Sequence, residues 1–251
     1  EGSTVKKCII PIALVLAAAM AMPVFAASGQ EGDKQSFINI DVRKPVFYPA
    51  GESDLTSPAD YVYAFFDSMY YAGSEKGDTA GETYEYAYGL LSDSYKVGYN
   101  LDDFIESWED TANVSLIKLI PSGSEVTDGV VCPKYFYETV NTESKDGKGG
   151  LVIYNGFVTL EKYEVGYRIK DITKEAEDLL SIVGEGNVVI ENPYYKALTF
   201  MGNPEDYKAS DSEKYTVLEG DRATVKIAGR AIHLAKLTNN TWKILYWEDN
   251  K

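Results

Sequence analysis

The sequence predicts an α+β protein, with three N-terminal helices packed on a curved antiparallel sheet and a β-rich C-terminal module after it. Two observations carry this expectation. Between residues 57 and 108 apolar side chains recur three and four apart, the spacing that gathers them on one helical face. From Asn113 the period drops to two, and runs rich in Val, Ile, Tyr and Phe alternate with clusters of Gly, Ser, Asp and Asn. Helices that precede a series of hairpin-linked strands cover one face of the resulting sheet.

In chain order, Lys6 and Lys7, an apolar run from Cys8 to Met22, and the close Pro23, Val24, Ala26 read as a secretory signal peptide over 1–26, cleaved after Ala26. An uncleaved membrane anchor is the alternative, because the run approaches the length needed to span a bilayer. Residues 27–56 form a tether or edge strand, with alternation at 37–42. Ser57, Pro58 and Asp60 then give a hydroxyl N-cap, a proline at the first helical position and an acid at the third. The helix they open carries Tyr61, Val62, Phe65, Phe66, Met69 and Tyr70. A second helix bears Tyr84, Ala87, Tyr88, Leu90 and Leu91 and ends near 92–94, and Asn100 caps a third with Leu101, Phe104, Ile105 and Trp108 as its buried stripe.

Strands are expected at 113–120, 129–140, 150–162 and 166–173, with Asn155-Gly156 making a bulge or bend inside the third. Beyond them lie a short helical piece at 174–183, strand-like runs at 187–191, 195–201, 215–218, 222–228, 231–237 and 241–247, and a polar acidic loop at 203–214. The final hairpin echoes an earlier one. Val158, Leu160 and Lys162 correspond to Ile232, Leu234 and Lys236, and Tyr167 and Ile169 to Trp242 and Ile244, with one residue inserted between the blocks. Internal duplication and convergent strand patterning both account for this. Residues 57–173 and 174–251 are therefore read as two domains, with a protease-sensitive junction near 174–186.

The segments 61–69 (YVYAFFDSM), 87–95 (AYGLLSDSY), 103–108 (DFIESW), 155–162 (NGFVTLEK) and 166–172 (GYRIKDI) together resemble the small secreted bacterial branch of the NTF2-like superfamily over about residues 57–173. The resemblance implies a strongly curved sheet wrapped around a long first helix, a cone with a pocket at its mouth. It also implies a choice of roles, since members include isomerases, dehydratases and non-catalytic binding modules, and fold does not decide among them.

Removing residues 1–26 takes away Lys6, Lys7 and Glu1 and leaves 22 basic against 38 acidic side chains, a formal charge of −16. Nucleic acid and anionic lipid are poor partners for such a surface. Cys132 would be the one thiol left after processing, so no internal disulfide forms, and His233 is the one histidine. Neither a His- or Cys-rich zinc site nor a Ser-His-Asp or Cys-His nucleophile can be assembled from these. The phosphate-loop, zincin, nucleophile-elbow and paired-cysteine motifs are absent. Ser115 and Lys118 match an S-x-x-K spacing but sit in an alternating strand, and the acids of 206–221 lack the spacing of a calcium loop. No metal, cofactor or catalytic residue is assigned.

The chain holds 20 tyrosines. Tyr70, Tyr84, Trp108, Tyr135 and Tyr137, with Tyr86, lie on elements expected to converge beneath the sheet, and a phenol's apolar ring and hydrogen-bonding tip suit a wet pocket or a sugar or peptide face. They suit a core rim equally. The resulting expectation is a secreted or extracytoplasmic, non-catalytic binding protein of the bacterial cell envelope. Its partner would be a small ligand, a wall glycan or another envelope protein, contact with membrane would be confined to the signal segment, and a homodimer is compatible. The alternative is an isomerase or dehydratase that pairs Asp67 with Tyr70, or Glu138 with Tyr135, for acid–base work.

Overall fold

A computed structural model describes residues 44–46, 55–74, 78–143, 150–177 and 191–249. The signal segment, the strand expected at 37–42 and residues 187–190 of the strand expected at 187–191 fall outside them. Helix α1 (Pro58–Ser74) begins as its sequence dictates. The Ser57 amide donates to Asp60 Oδ2 at 2.7 Å and the Asp60 amide to Ser57 Oγ at 3.4 Å, a reciprocal capping pair. Its middle is buried nearly all round rather than along one stripe. The extra cover includes residues 44–46: the Val46 amide donates to buried Asp67, and the Tyr71 hydroxyl donates to the Pro45 carbonyl.

Helix α2 (Asp78–Gly89) ends earlier than the sequence suggested, and Ser92 caps a separate short turn, α3 (Asp93–Lys96), by accepting from the Tyr95 amide. Helix α4 (Leu101–Trp108) carries the expected Asn100 capping box. Of its anticipated stripe only Phe104 is fully buried, wedged among Phe65, Tyr84, Tyr88, Tyr99 and Trp108.

Strands β1 (Thr111–Thr127), β2 (Val130–Glu143), β3 (Gly150–Lys162) and β4 (Tyr167–Ile172) form an antiparallel meander in that order. β1 runs beyond the expected 120 because the edge position tolerates Pro121, with a register break between Pro121 and Ser124. Asn155-Gly156 is not a bulge against β2, whose pairing with β3 is unbroken there. The glycine instead admits another strand's backbone. A Cβ on Gly156 would sit 1.8 Å from the Thr173 carbonyl oxygen, where the chain passes from β4 to the two-residue strand β5 (Glu175–Ala176). The helix expected from Lys174 is therefore replaced at its start by strand pairing.

In the second half, the run at 195–201 is helical, not extended: α5 (Pro193–Phe200) is capped by Asn192, with proline at its first position. The acidic loop likewise contains a 3₁₀ turn at Pro204–Asp206 and helix α6 (Ala209–Tyr215). β6 (Thr216–Glu219), β7 (Arg222–Ile227), β8 (Arg230–Lys236) and β9 (Trp242–Asp249) then make a second antiparallel meander. The echoed hairpins share a register. Leu160 pairs with Ile169 and Lys162 with Tyr167, as Leu234 pairs with Ile244 and Lys236 with Trp242. Each ladder slips at the corresponding step, between Thr159 and Leu160 and between His233 and Leu234.

The fold is thus α+β with two antiparallel sheets. Rings from α1 and α4 fill one face of the first sheet together with Val114, Leu116, Tyr137, Val158, Leu160 and Ile169. Ile232, Leu234 and Trp242 turn one face of the second sheet toward Tyr194, Ala197 and Leu198 of α5. The remaining faces meet each other through Ile120 and Phe136 on one side and Ala235 and Leu237 on the other. No described helix is long and apolar enough to cross a membrane.

Candidate functional site

Of the aromatic residues singled out in the first half, Tyr137 is buried in its core, Tyr84, Trp108 and Tyr135 pack against that core, and Tyr70 is half-buried beside Tyr71. The Tyr137 ring lies 4.7 Å from that of Phe66, is 2% exposed, and its hydroxyl donates to the Thr173 carbonyl at 2.8 Å. Burial pushes that phenol far above its ordinary range. Tyr84, Tyr135 and Trp108 are half-buried against the same cluster. Burial also raises the hydroxyls of Tyr84 and Tyr135. Tyr70 packs edge-on to Tyr71, and Trp108 lies with Tyr154 about the Lys174 ammonium. Tyr84, Trp108, Tyr135 and Tyr137 thus belong to or pack against one hydrophobic core.

The acid–base pairs meet a simpler obstacle. Tyr135 and Glu138 are three apart on a regular strand and so point to opposite faces. Tyr135 faces the helices, and Glu138 faces the second sheet. Asp67 Oδ2 accepts from the Val46 amide at 3.1 Å.

Glu138 has no exposed surface and ties the two sheets together. Its Oε1 accepts from the Thr238 amide at 2.6 Å, and Lys118 Nζ lies 3.2 Å from its Oε2. Lys118 reaches on to the Lys236 carbonyl at 2.7 Å and to Asp221 at 3.1 Å. Beside it stands Glu177, bonded by the Asn155 amide group at 3.4 Å. Burial, with the adjoining Glu138 carboxyl, pushes Glu177 up to about 8. Glu138 Oε2 has the Lys118 ammonium as its ion-pair partner, whereas an ionised Glu177 leaves the buried Oε2 atoms of the two carboxyls with no hydrogen-bond donor between them. A proton on Glu177 supplies that donor. The group is a structural clasp, because both carboxylates are enclosed between packed sheets.

The second half holds an open cavity of about 530 Å³. The end of α5 and the turn that follows it provide Leu198 and Met201 as an apolar wall, with Tyr194 beneath. Tyr194 stacks on Tyr215 of α6 at 6.0 Å and 17°. The rim is polar: Asn203, Asp206 and Lys208 come from the segment between helices, Asp211 from α6 and Lys226 from β7. Burial, and then the Asp211 carboxylate, raise the Tyr194 hydroxyl, which remains a hydrogen-bond donor at neutral pH. The opposite side is the Ala228-Gly229 turn, with both residues at positive φ.

The exposed aromatics of the molecule do not line this cavity, though Arg230 links one of them, Trp247, to its wall. Among the described residues, the exposed large aromatics are Tyr195, Phe200 and Trp247, all in this half. Arg230 joins rim to surface, its guanidinium 4.2 Å from the Trp247 ring and donating to the Met201 sulfur at 3.7 Å. None of these residues was anticipated, because 195–201 reads as strand and 203–214 as solvated loop. The signal that finds them is Asn192-Pro193, an N-cap and first-turn proline, followed by Tyr194, Ala197, Leu198 and Met201 at helical spacing. The described residues contain no group of three or more His, Cys, Asp and Glu side chains placed to hold a metal ion.

No family model matches the chain, and no curated protein or solved structure matches it either.

Proposed function

We propose that this chain is an exported, non-catalytic binding protein that takes its ligand in the cavity between α5, α6 and the β7–β8 turn. The observation that carries the reading is the cavity itself, where the apolar Leu198 and Met201 and the ring of Tyr194 meet the polar side chains of Asn203, Asp206, Lys208, Asp211 and Lys226. An apolar wall with a polar rim recognises a ligand without a nucleophile or an aligned acid–base pair. Export to the cell envelope rests on the charged start, apolar run and small-residue close of 1–26. An NTF2-like first half is supported by a long aromatic helix packed on an antiparallel meander that follows it in the chain. In this reading that half is a filled scaffold, and binding belongs to the second. The isomerase or dehydratase reading is the weaker one, since Tyr135 and Glu138 diverge. Soaking crystals with a chemically diverse fragment library tests the site: fragments should occupy this cavity, and hits confined to other surfaces would overturn it.

A further inference from the structure

We infer that the ligand class of this cavity is a neutral, hydroxyl-rich molecule, an oligosaccharide, an inference that rests on the cavity being the binding site. The rim carries two carboxylates, Asp206 and Asp211, and two ammonium groups, Lys208 and Lys226. An anion entering it meets the two acids, on a chain of formal charge −15. A cation meets the two lysines. A hydroxyl group conflicts with neither, because it donates to a carboxylate or to Asn203 and accepts from an ammonium at once. Vicinal hydroxyls on a sugar present that amphoteric pattern repeatedly along one edge. The sugar's C–H face then has an apolar complement in Leu198 and Met201, and the longer chain has Trp247, 45% exposed, just beyond Arg230. Tyrosine and tryptophan present rigid amphipathic surface at little cost in side-chain entropy, which suits a flat polar ligand.

The charge pattern also supplies the test. Asp206, Lys208 and Lys226 are exposed, so replacing them leaves packing intact. Proton–nitrogen NMR spectra of the full chain are recorded with cellohexaose and with N-acetylated chitohexaose at millimolar concentration. Glycylglycine, inorganic phosphate and spermidine serve as zwitterionic, anionic and cationic comparisons. At least one saccharide should shift the Ala228 and Gly229 amides, with an affinity that Asp206→Ala and Lys226→Ala each weaken by about tenfold. A cationic ligand would be weakened by the first substitution and strengthened by the second, and an anionic ligand the reverse. Shifts with glycylglycine, phosphate or spermidine alone would overturn the saccharide assignment and leave the cavity as the binding site. Silence from both saccharides also overturns it, and occupancy by soaked fragments then judges the site separately.

Discussion

The two halves of the molecule use one plan and finish it differently. Each places helices ahead of a four-stranded antiparallel meander, and each closes with a hairpin that slips at the corresponding step. In the first half a 17-residue helix brings Tyr61, Phe65, Phe66 and Met69 into one core cluster with the sheet. In the second, α5 has eight residues and α6 seven, enough to cover Ile232, Leu234 and Trp242 but not the ground beside them. The uncovered ground is the cavity. Where the covering helix is long the sheet face becomes core; where it is short and broken, the same face gains an opening rimmed by loop residues.

The comparison breaks first, and hardest, at the cores. Phe65→Ala should cost about 3–5 kcal/mol, and Leu234→Ala about 2–5 kcal/mol, since both side chains are fully buried. Chemical denaturation followed by both tyrosine fluorescence and circular dichroism checks this. Coincident transitions in both variants would mean that the halves unfold together. If Leu234→Ala shifts only an early partial transition, the halves are energetically separate.

A smaller effect is expected at the clasp, where the halves are joined. Glu138→Ala strands the Thr238 amide at the sheet interface and takes from Lys118 its buried partner, leaving it the Lys236 carbonyl and the exposed Asp221, and the loss of one partner of a buried ion pair costs about 3 kcal/mol. Glu138→Gln keeps an acceptor for Thr238 and should cost less. Equal losses for the two variants, measured by urea unfolding, would show that the charge, not the hydrogen bond, carries the effect.

The first helix was legible because Ser57, Pro58 and Asp60 state its start and its aromatic spacing states its face. The four strands of the first sheet were legible from alternation alone. Helix α5 was not, because Tyr194, Tyr195, Thr199 and Phe200 favour strands locally and mask the Asn192-Pro193 start, while packing with Val225 and Ile232 supports the helix. The clasp was illegible for a different reason. Glu138 looks like any strand acid until a turn 100 residues later lays the Thr238 amide against it. The candidate tyrosines, Tyr70, Tyr84, Tyr135 and Tyr137, share a ring chemistry that does not distinguish a core rim from a ligand surface. That distinction depends on how much helix remains to cover the sheet.

Stability should also depend on pH through Glu177. Its folded pKa is raised from 4.5 to about 8, so between these values the folded state holds a proton that the unfolded state has released. Stability therefore falls as pH rises from about 4.5 toward about 8 and levels off above. Solvent reaches part of the group, which moderates the slope. Glu177→Gln should flatten it over that window, as read from thermal midpoints across the pH series. An unchanged slope would place the proton elsewhere than between Glu138 and Glu177.

The smallest expected effect compares one turn in each half. The β1–β2 hairpin turns at Asp128-Gly129, with φ of 52° and 79°, and the β7–β8 hairpin at Ala228-Gly229, with φ of 50° and 75°. Both are two-residue turns that need positive φ at each central position, for which asparagine, aspartate and glycine are suited and alanine is not. Left-handed backbone costs an alanine roughly 1–2 kcal/mol, and a short polar side chain recovers part of that by bonding locally. Ala228→Asn should therefore stabilise the protein by about 0.5–1 kcal/mol, and Asp128→Ala should destabilise it by a similar amount. Thermal unfolding of the two variants, measured side by side, checks the signs. Ala228 also borders the cavity, where its single methyl leaves room that an asparagine side chain would narrow. If Ala228→Asn stabilises the fold and weakens saccharide binding together, the strained alanine is explained by the opening it preserves. Stabilisation with binding unchanged would leave Ala228 a local imperfection of the second hairpin, with no bearing on the ligand.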